Sequence, residues 1–145
     1  MLEVKGNIWD YYDEGNWVVI PTNRTIKRNG EAVMGRGVAL QAKLKRPDLP
    51  LFLGDLIRDF GNQVYRFDQW RLLSFPLKDN WWELAKLSLI EVSLVQLKQA
   101  VGFASGVRSR VYLPRVGCGN GGLDWKDVKP ILERYLDDRF IVVLL

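Results

Sequence analysis

Val111-Tyr112-Leu113-Pro114-Arg115-Val116-Gly117-Cys118-Gly119-Asn120-Gly121-Gly122-Leu123-Asp124-Trp125 decides the reading of the fold. Val111-Tyr112-Leu113 is a short apolar run that suits a strand. The glycine-rich turn Gly117–Gly122 follows, and a helical pattern runs from Trp125 to Leu136 with Asp124 at its N-cap position. Strand, glycine loop and helix in that order place backbone N–H donors and the positive end of a helix dipole where an anion can approach.

The same design occurs earlier. Trp17-Val18-Val19-Ile20 reads as a buried strand ended by Pro21, and a polar loop runs from Thr22 to about Glu31. Met34-Gly35-Arg36-Gly37 then leads into the helical stretch Val38–Leu44, which Pro47 stops. Two such loops in one chain suggest a diphosphate held from two sides. Gly117, Gly119 and Gly122 formally match G-x-G-x-x-G. That fingerprint belongs to a first βαβ unit with an acidic ribose partner about 20 residues on, whereas here only one strand remains. Neither loop ends in GK[ST], which argues against nucleotide triphosphate hydrolysis.

The remaining segments fit around these two units. Leu2–Lys5 reads as an opening strand broken by Gly6-Asn7, and Leu51–Phe60 as a short amphipathic helix. Gln63–Phe67 and Arg71–Phe75 read as a hairpin across Asp68-Gln69-Trp70. Leu84–Phe103 is the longest helical pattern, with Leu87, Ile90, Leu94, Leu97 and Val101 on one face. Ile141–Leu145 is a final buried strand. Alternating strands and helices argue an α/β fold with a mixed or mostly parallel sheet between helices. No repeat, linker or low-complexity tract divides the 145 residues, so one domain over 1–145 is expected.

Composition narrows the chemistry. Histidine is absent, which excludes Ser-His-Asp and Cys-His nucleophile systems and most zinc sites. No metal or cofactor is implied. The one cysteine, Cys118, excludes an intramolecular disulfide, and no sequence neighbour supplies it with a base, so it reads as a small packed residue. A net charge of +4 suits an anionic ligand or nucleic acid. Met1 is followed by Leu-Glu-Val-Lys rather than the apolar core of a secretory leader, and no apolar run approaches the ~20 residues of a membrane helix. A cytoplasmic monomer with no membrane partner is expected.

Across nearly the whole chain these residues resemble the macrodomain family. Val4-Lys5-Gly6-Asn7-Ile8 is similar to its opening strand and adenine-side turn, and Val19-Ile20-Pro21-Thr22-Asn23 to its second strand with the ribose-side asparagine. Met34–Ala39 and Pro114–Trp125 are similar to its two phosphate loops. The Met-Gly-x-Gly loop, Ser74-Phe75-Pro76-Leu77-Lys78, Asn80-Trp81-Trp82, Leu89-Ile90-Glu91 and Leu123-Asp124-Trp125 together resemble one branch. That branch holds the DarG-type DNA ADP-ribosyl glycohydrolases and the human terminal ADP-ribose protein glycohydrolase. The resemblance implies a three-layer α/β/α macrodomain with a mixed central sheet of about six strands and a crevice for ADP-ribose between the glycine loops.

It also implies site residues. Ligand contacts fall on Asn7, Ile8, Asn23, Gly35, Arg36, Gly37, Val38, Trp81, Gly117, Cys118, Gly119, Asn120, Gly121 and Gly122. Lys78 stands where the branch carries a required lysine whose proposed role is attack on the distal ribose. Asn23 and Asp124 are the groups expected to position a hydroxyl or water. Two positions depart from the pattern. Asn7 replaces an aspartate that accepts from the adenine amine, although an amide oxygen still accepts. The human enzyme's catalytic aspartate aligns with Gly121, three positions before Asp124. The functions implied are removal of ADP-ribose from a macromolecule such as DNA, hydrolysis of ADP-ribose 1″-phosphate, or binding of ADP-ribose without chemistry.

Overall fold

The computed structural model describes residues 1–102 and 110–145. Six strands form one sheet: β1 (Leu2–Lys5), β2 (Trp17–Thr22), β3 (Arg66–Phe67), β4 (Leu72–Pro76), β5 (Val111–Leu113) and β6 (Phe140–Leu144). Their spatial order is β1-β6-β5-β2-β4-β3. All neighbours are parallel except β3 and β4, which pair antiparallel with Arg66 opposite Leu73. The sheet is therefore mixed, with the expected number of strands. Five α-helices lie among the described residues: α1 (Ile8–Asp13), α2 (Gly37–Lys45), α3 (Leu49–Phe60), α4 (Leu87–Val101) and α5 (Trp125–Tyr135).

Strand alternation divides the interior into two cores. Val18 and Ile20 of β2, Tyr112 of β5 and Ile141 of β6 pack against α1, α2 and α3 on one face. Val19, Val111, Leu113, Phe140 and Val142 pack against α4 and α5 on the other. Strands buried on both faces are read as near-continuous apolar runs, which is how β2 and β6 appear in the sequence. The result is three layers, α/β/α.

Several boundaries differ from the sequence reading for identifiable reasons. The α1 helix was not legible, because it is one and a half turns of low-propensity aromatic residues. It forms because Asn7 caps it, accepting from the Trp9 N–H at 3.0 Å, while Ile8, Trp9 and Tyr12 are buried. The α3 helix starts at Leu49 rather than Leu51, since Pro50 suits a first helical turn. The α4 helix starts at Leu87 rather than Leu84. The Ala85 and Lys86 amides bond outward instead, to Gly121 O and Leu77 O at 2.9 Å each. The far end of that pattern, Phe103, lies outside the described residues. The predicted hairpin forms, but its first strand is only Arg66–Phe67. Arg71 closes the turn at φ 52 and is held there by donating to Tyr12 O at 2.7 Å and Asn16 O at 2.8 Å.

One packing contact has a large expected consequence. Gly54 of α3 lies against the loop that precedes the first glycine turn, and a Cβ built on it would sit 1.9 Å from Gly30 O and 3.1 Å from Ala32 N. Both are backbone atoms, so relief requires moving a helix or a loop. Gly54→Ala should cost about 3 kcal/mol or more, a drop in Tm on the order of 10 °C by thermal unfolding. An unchanged Tm would show that α3 and this loop do not pack as described. No helix among the described residues is long and apolar enough to cross a membrane.

Candidate functional site

The neighbouring parallel strands β5, β2 and β4 end side by side, and the segments leaving their carboxyl ends surround a crevice of about 820 Å³. Asn23 follows β2, Leu77 and Lys78 follow β4, and Pro114–Gly121 follow β5. Gly35, Arg36 and the start of α2 (Gly37, Val38, Ala39) close the opposite wall. Both glycine loops thus face one cavity, at the strand ends where open α/β sheets bind ligands.

Each wall offers donors. Arg36 occupies the α2 N-cap position without a side-chain cap bond, so the first amides of α2 are left for a ligand. In the second loop, Gly117 and Gly119 adopt φ 80 and 69, conformations that favour glycine. A Cβ at Gly117 would lie 2.8 Å from Ile90 Cδ1, whereas at Gly119 it would meet nothing within 4 Å. Gly119 therefore borders open space. Among the described residues four cations line the crevice, Lys27, Arg36, Lys78 and Arg115, against one carboxylate, Glu83. The balance suits a polyanion.

Lys78 is the best-fixed reactive group. Asn62 Nδ2 donates to its carbonyl at 3.2 Å, and both chain neighbours are held, Leu77 N donating to Thr22 O at 3.2 Å and Arg24 N to Asp79 O at 2.7 Å. The ammonium has no ion-pair partner among the described residues. Burial, reinforced by the Arg36 charge, lowers its pKa below the usual lysine value. Both causes favour the neutral amine.

The other residues expected at the site divide into two groups. Asn23, Gly35, Arg36, Gly37, Val38, Lys78, Trp81, Gly117, Cys118, Gly119, Asn120 and Gly121 line the crevice; Asn7, Ile8, Gly122 and Asp124 do not. The Asn7 oxygen is engaged as the α1 cap and Ile8 is buried in the core beneath it. Gly122 faces Leu84 at 2.9 Å from a built Cβ. Asp124 sits at the α5 N-cap position, where its backbone carbonyl takes the Asp127 and Val128 amides. Asn23 is buried, accepting from Thr25 N at 2.8 Å and donating to Val33 O at 3.2 Å, so its amide is oriented by the loop itself. Burial raises the Cys118 pKa, with Asp124 opposing the effect of Arg115, which keeps it a thiol. Gly121 is buried, and a Cβ there would stand 3.0 Å from Ala85 Cβ, so any side chain at this position requires the Ala85 segment to shift.

Sequence reasoning missed Lys27, Glu83 and Arg115. Arg115 was readable as a lone basic residue before the loop; it stacks over Trp125 at 4.9 Å, and its buried Nε has no partner among the described residues. Glu83 was not readable, since its place depends on Asn80, whose N and Nδ2 donate to one carboxylate oxygen at 2.8 and 2.6 Å.

No protein-family model matches the chain. Solved structures and curated proteins do. The macrodomain of Thermus aquaticus DarG superposes with a TM-score of 0.73 at 30% identity, covering 99% of this chain and 97% of that one. The Thermosipho africanus DarTG structure in complex with ADP-ribose matches with a TM-score of 0.77 at 22% identity, over 100% of this chain and 42% of that one, and shares the fold. The Thermus aquaticus DNA ADP-ribosyl glycohydrolase is 30% identical over 135 residues, 85% of this chain. The chain spans 31–36% of the length of the curated relatives it matches. With the strand order, the paired glycine loops and the near-complete overlap with the Thermus aquaticus domain, the chain belongs to the macrodomain family, in its DarG-type branch.

Proposed function

We propose that this macrodomain binds ADP-ribose and removes ADP-ribosyl groups from DNA. The observation that carries the reading is Lys78: a half-buried amine with a lowered pKa, on a backbone whose carbonyl Asn62 holds, in a crevice whose cations and glycine loops suit a diphosphate. The names of the relatives, DNA ADP-ribosyl glycohydrolases, support the substrate. The complex of Thermosipho africanus DarTG supports the ligand.

In this reading the diphosphate lies between the α2 amides and the Gly117–Gly121 loop, with Arg36 and Arg115 as counter-charges. The neutral Lys78 Nζ attacks C1″ of the distal ribose. The bond from C1″ to the base breaks, and the base leaves with the electron pair and takes up the proton that Nζ, now bonded to carbon, gives up, which restores a lone pair on Nζ. The Nζ lone pair then opens the sugar ring, O4″ gains a proton, and a protonated Schiff base forms. Water adds to that carbon, Nζ departs, and ADP-ribose is released. Asn23 orients a ribose hydroxyl. Asp124, at the α5 N-cap position and outside the crevice lining, is given no direct part in this step, and Gly121 supplies no carboxylate, so the chemistry rests on the lysine.

The test is a substrate panel: ADP-ribosylated DNA, ADP-ribosylated protein and ADP-ribose 1″-phosphate, each with native protein. Release from DNA alone is expected. Turnover of the 1″-phosphate alone, or tight binding of ADP-ribose with no turnover of any substrate, would replace this reading by phosphatase or reader activity. A cytoplasmic monomer belongs to the same reading, and sedimentation at micromolar concentration tests the monomer.

A further inference from the structure

Trp81 and Trp82 line the crevice mouth, yet they are 48% and 64% exposed, and their rings meet edge to face at 5.9 Å and 89°. Leu84 beside them is 67% exposed. Large apolar side chains adjacent on a rim are costly in water unless something covers them. Their surroundings identify what does. The Trp81 amide donates to Thr25 Oγ1 at 3.1 Å, and Arg24 N donates to Asp79 O, so the tryptophan segment is stitched to the loop that carries Arg24, Lys27 and Arg28. These three cations are exposed. Aromatic faces beside a cationic strip are the combination that holds a single nucleic-acid strand, with bases on the rings and phosphates on the cations.

Resting on the DNA reading above, we propose that Trp81 and Trp82 are a stacking platform for the modified base and its neighbouring nucleotide, with Arg24, Lys27 and Arg28 taking the flanking phosphates. The platform lies outside the diphosphate cradle, at the end of the crevice where the leaving base emerges past Lys78. It therefore makes recognition extend beyond ADP-ribose into the strand itself, and favours an unpaired strand, whose bases are free to leave their own stack.

The experiment compares kcat/KM for a short single-stranded oligonucleotide bearing one ADP-ribosylated base with that for the ADP-ribosyl nucleoside alone. Native protein should prefer the oligonucleotide. Replacing both tryptophans by alanine should lower that preference roughly tenfold or more, and replacing both by phenylalanine should restore most of it, which also controls for folding. Lys27→Ala with Arg28→Ala should flatten the salt dependence of the oligonucleotide reaction. An unchanged preference in the alanine variant overturns the platform. So does an equal loss on both substrates, which would put the tryptophans on the distal ribose. If native protein turns over neither DNA substrate, the functional reading fails. The platform is then decided by tryptophan fluorescence with unmodified oligonucleotide: quenching that the alanine variant loses sustains it, and no quenching overturns it.

Discussion

Lys78→Ala is expected to abolish release of ADP-ribose from DNA while leaving affinity for free ADP-ribose within a few fold. The nucleophile's contribution is made in the transition state, so it should appear in kcat and not in ligand binding. The crevice retains Arg36, Arg115 and both sets of loop amides, which hold the diphosphate without it. Lys78→Arg should be equally inactive, because a guanidinium stays protonated and offers no lone pair. The pH profile follows from the direction of the shift. Burial and Arg36 lower the Lys78 pKa, so the neutral fraction at a given pH exceeds that of an ordinary lysine. The rate should rise with pH as the ammonium loses its proton and level off once it is neutral, with the midpoint below that of a free lysine side chain. Arg36→Ala should move that midpoint upward, since it removes a like charge that opposes protonation. Single-turnover rates against pH for the native and Arg36→Ala proteins measure both. Recovery of turnover by Lys78→Arg would instead make position 78 a fixed positive charge, and the covalent step would be withdrawn.

How far the site was readable depended on how local its causes are. The glycine loops were legible because glycine at a positive φ, a preceding apolar run and a following helical period all lie within about fifteen residues of sequence. The mixed six-strand sheet followed from strand and helix alternation together with the resemblance to macrodomains, and the hairpin of β3 and β4 supplies its one antiparallel pair. Lys78 was legible as a lysine after a strand. What was not legible is what fixes it: Asn62 and Arg24 lie 16 and 54 residues away in sequence, and nothing in their neighbourhoods marks them. Asn7, Ile8, Gly122 and Asp124 are expected at the site and do not line the crevice. Each stands inside a motif of the right form, but motif membership fixes a place along the chain and not the direction a side chain faces. Asn7 and Ile8 are turned by a short helix that the sequence did not announce, and Gly122 is turned against Leu84. The exposed Trp81 and Trp82 illustrate a further limit. Six tryptophans in a short chain predict core anchors, and Trp9 is one, but only packing distinguishes it from the pair on the rim.

Gly119→Glu is expected to abolish ADP-ribose binding, by at least two orders of magnitude in Kd by calorimetry, with little effect on the fold. The two parts of that expectation rest on separate observations. Space decides the fold: a Cβ at Gly119 meets nothing within 4 Å, so the new side chain extends into the crevice and not into the core. The cost to the backbone comes from φ 69, a left-handed conformation that a non-glycine residue occupies at about 1–2 kcal/mol, which a domain of this size survives. Charge and volume decide binding. The carboxylate fills part of the diphosphate volume, brings a negative charge to the donors that would hold the phosphates, and is itself desolvated if ADP-ribose enters. Gly119→Ala separates these causes. It carries the same backbone strain without the charge or the length, so it should lose only a small part of the affinity. Gly117→Ala offers the opposite contrast, since its Cβ would strike Ile90 and Leu123 at 2.8 and 3.0 Å, and the damage there should appear in Tm as well as in Kd. If Gly119→Glu remains folded and binds ADP-ribose as the native protein does, the second loop is not where the diphosphate lies. The α2 amides and Arg36 would then have to carry it alone.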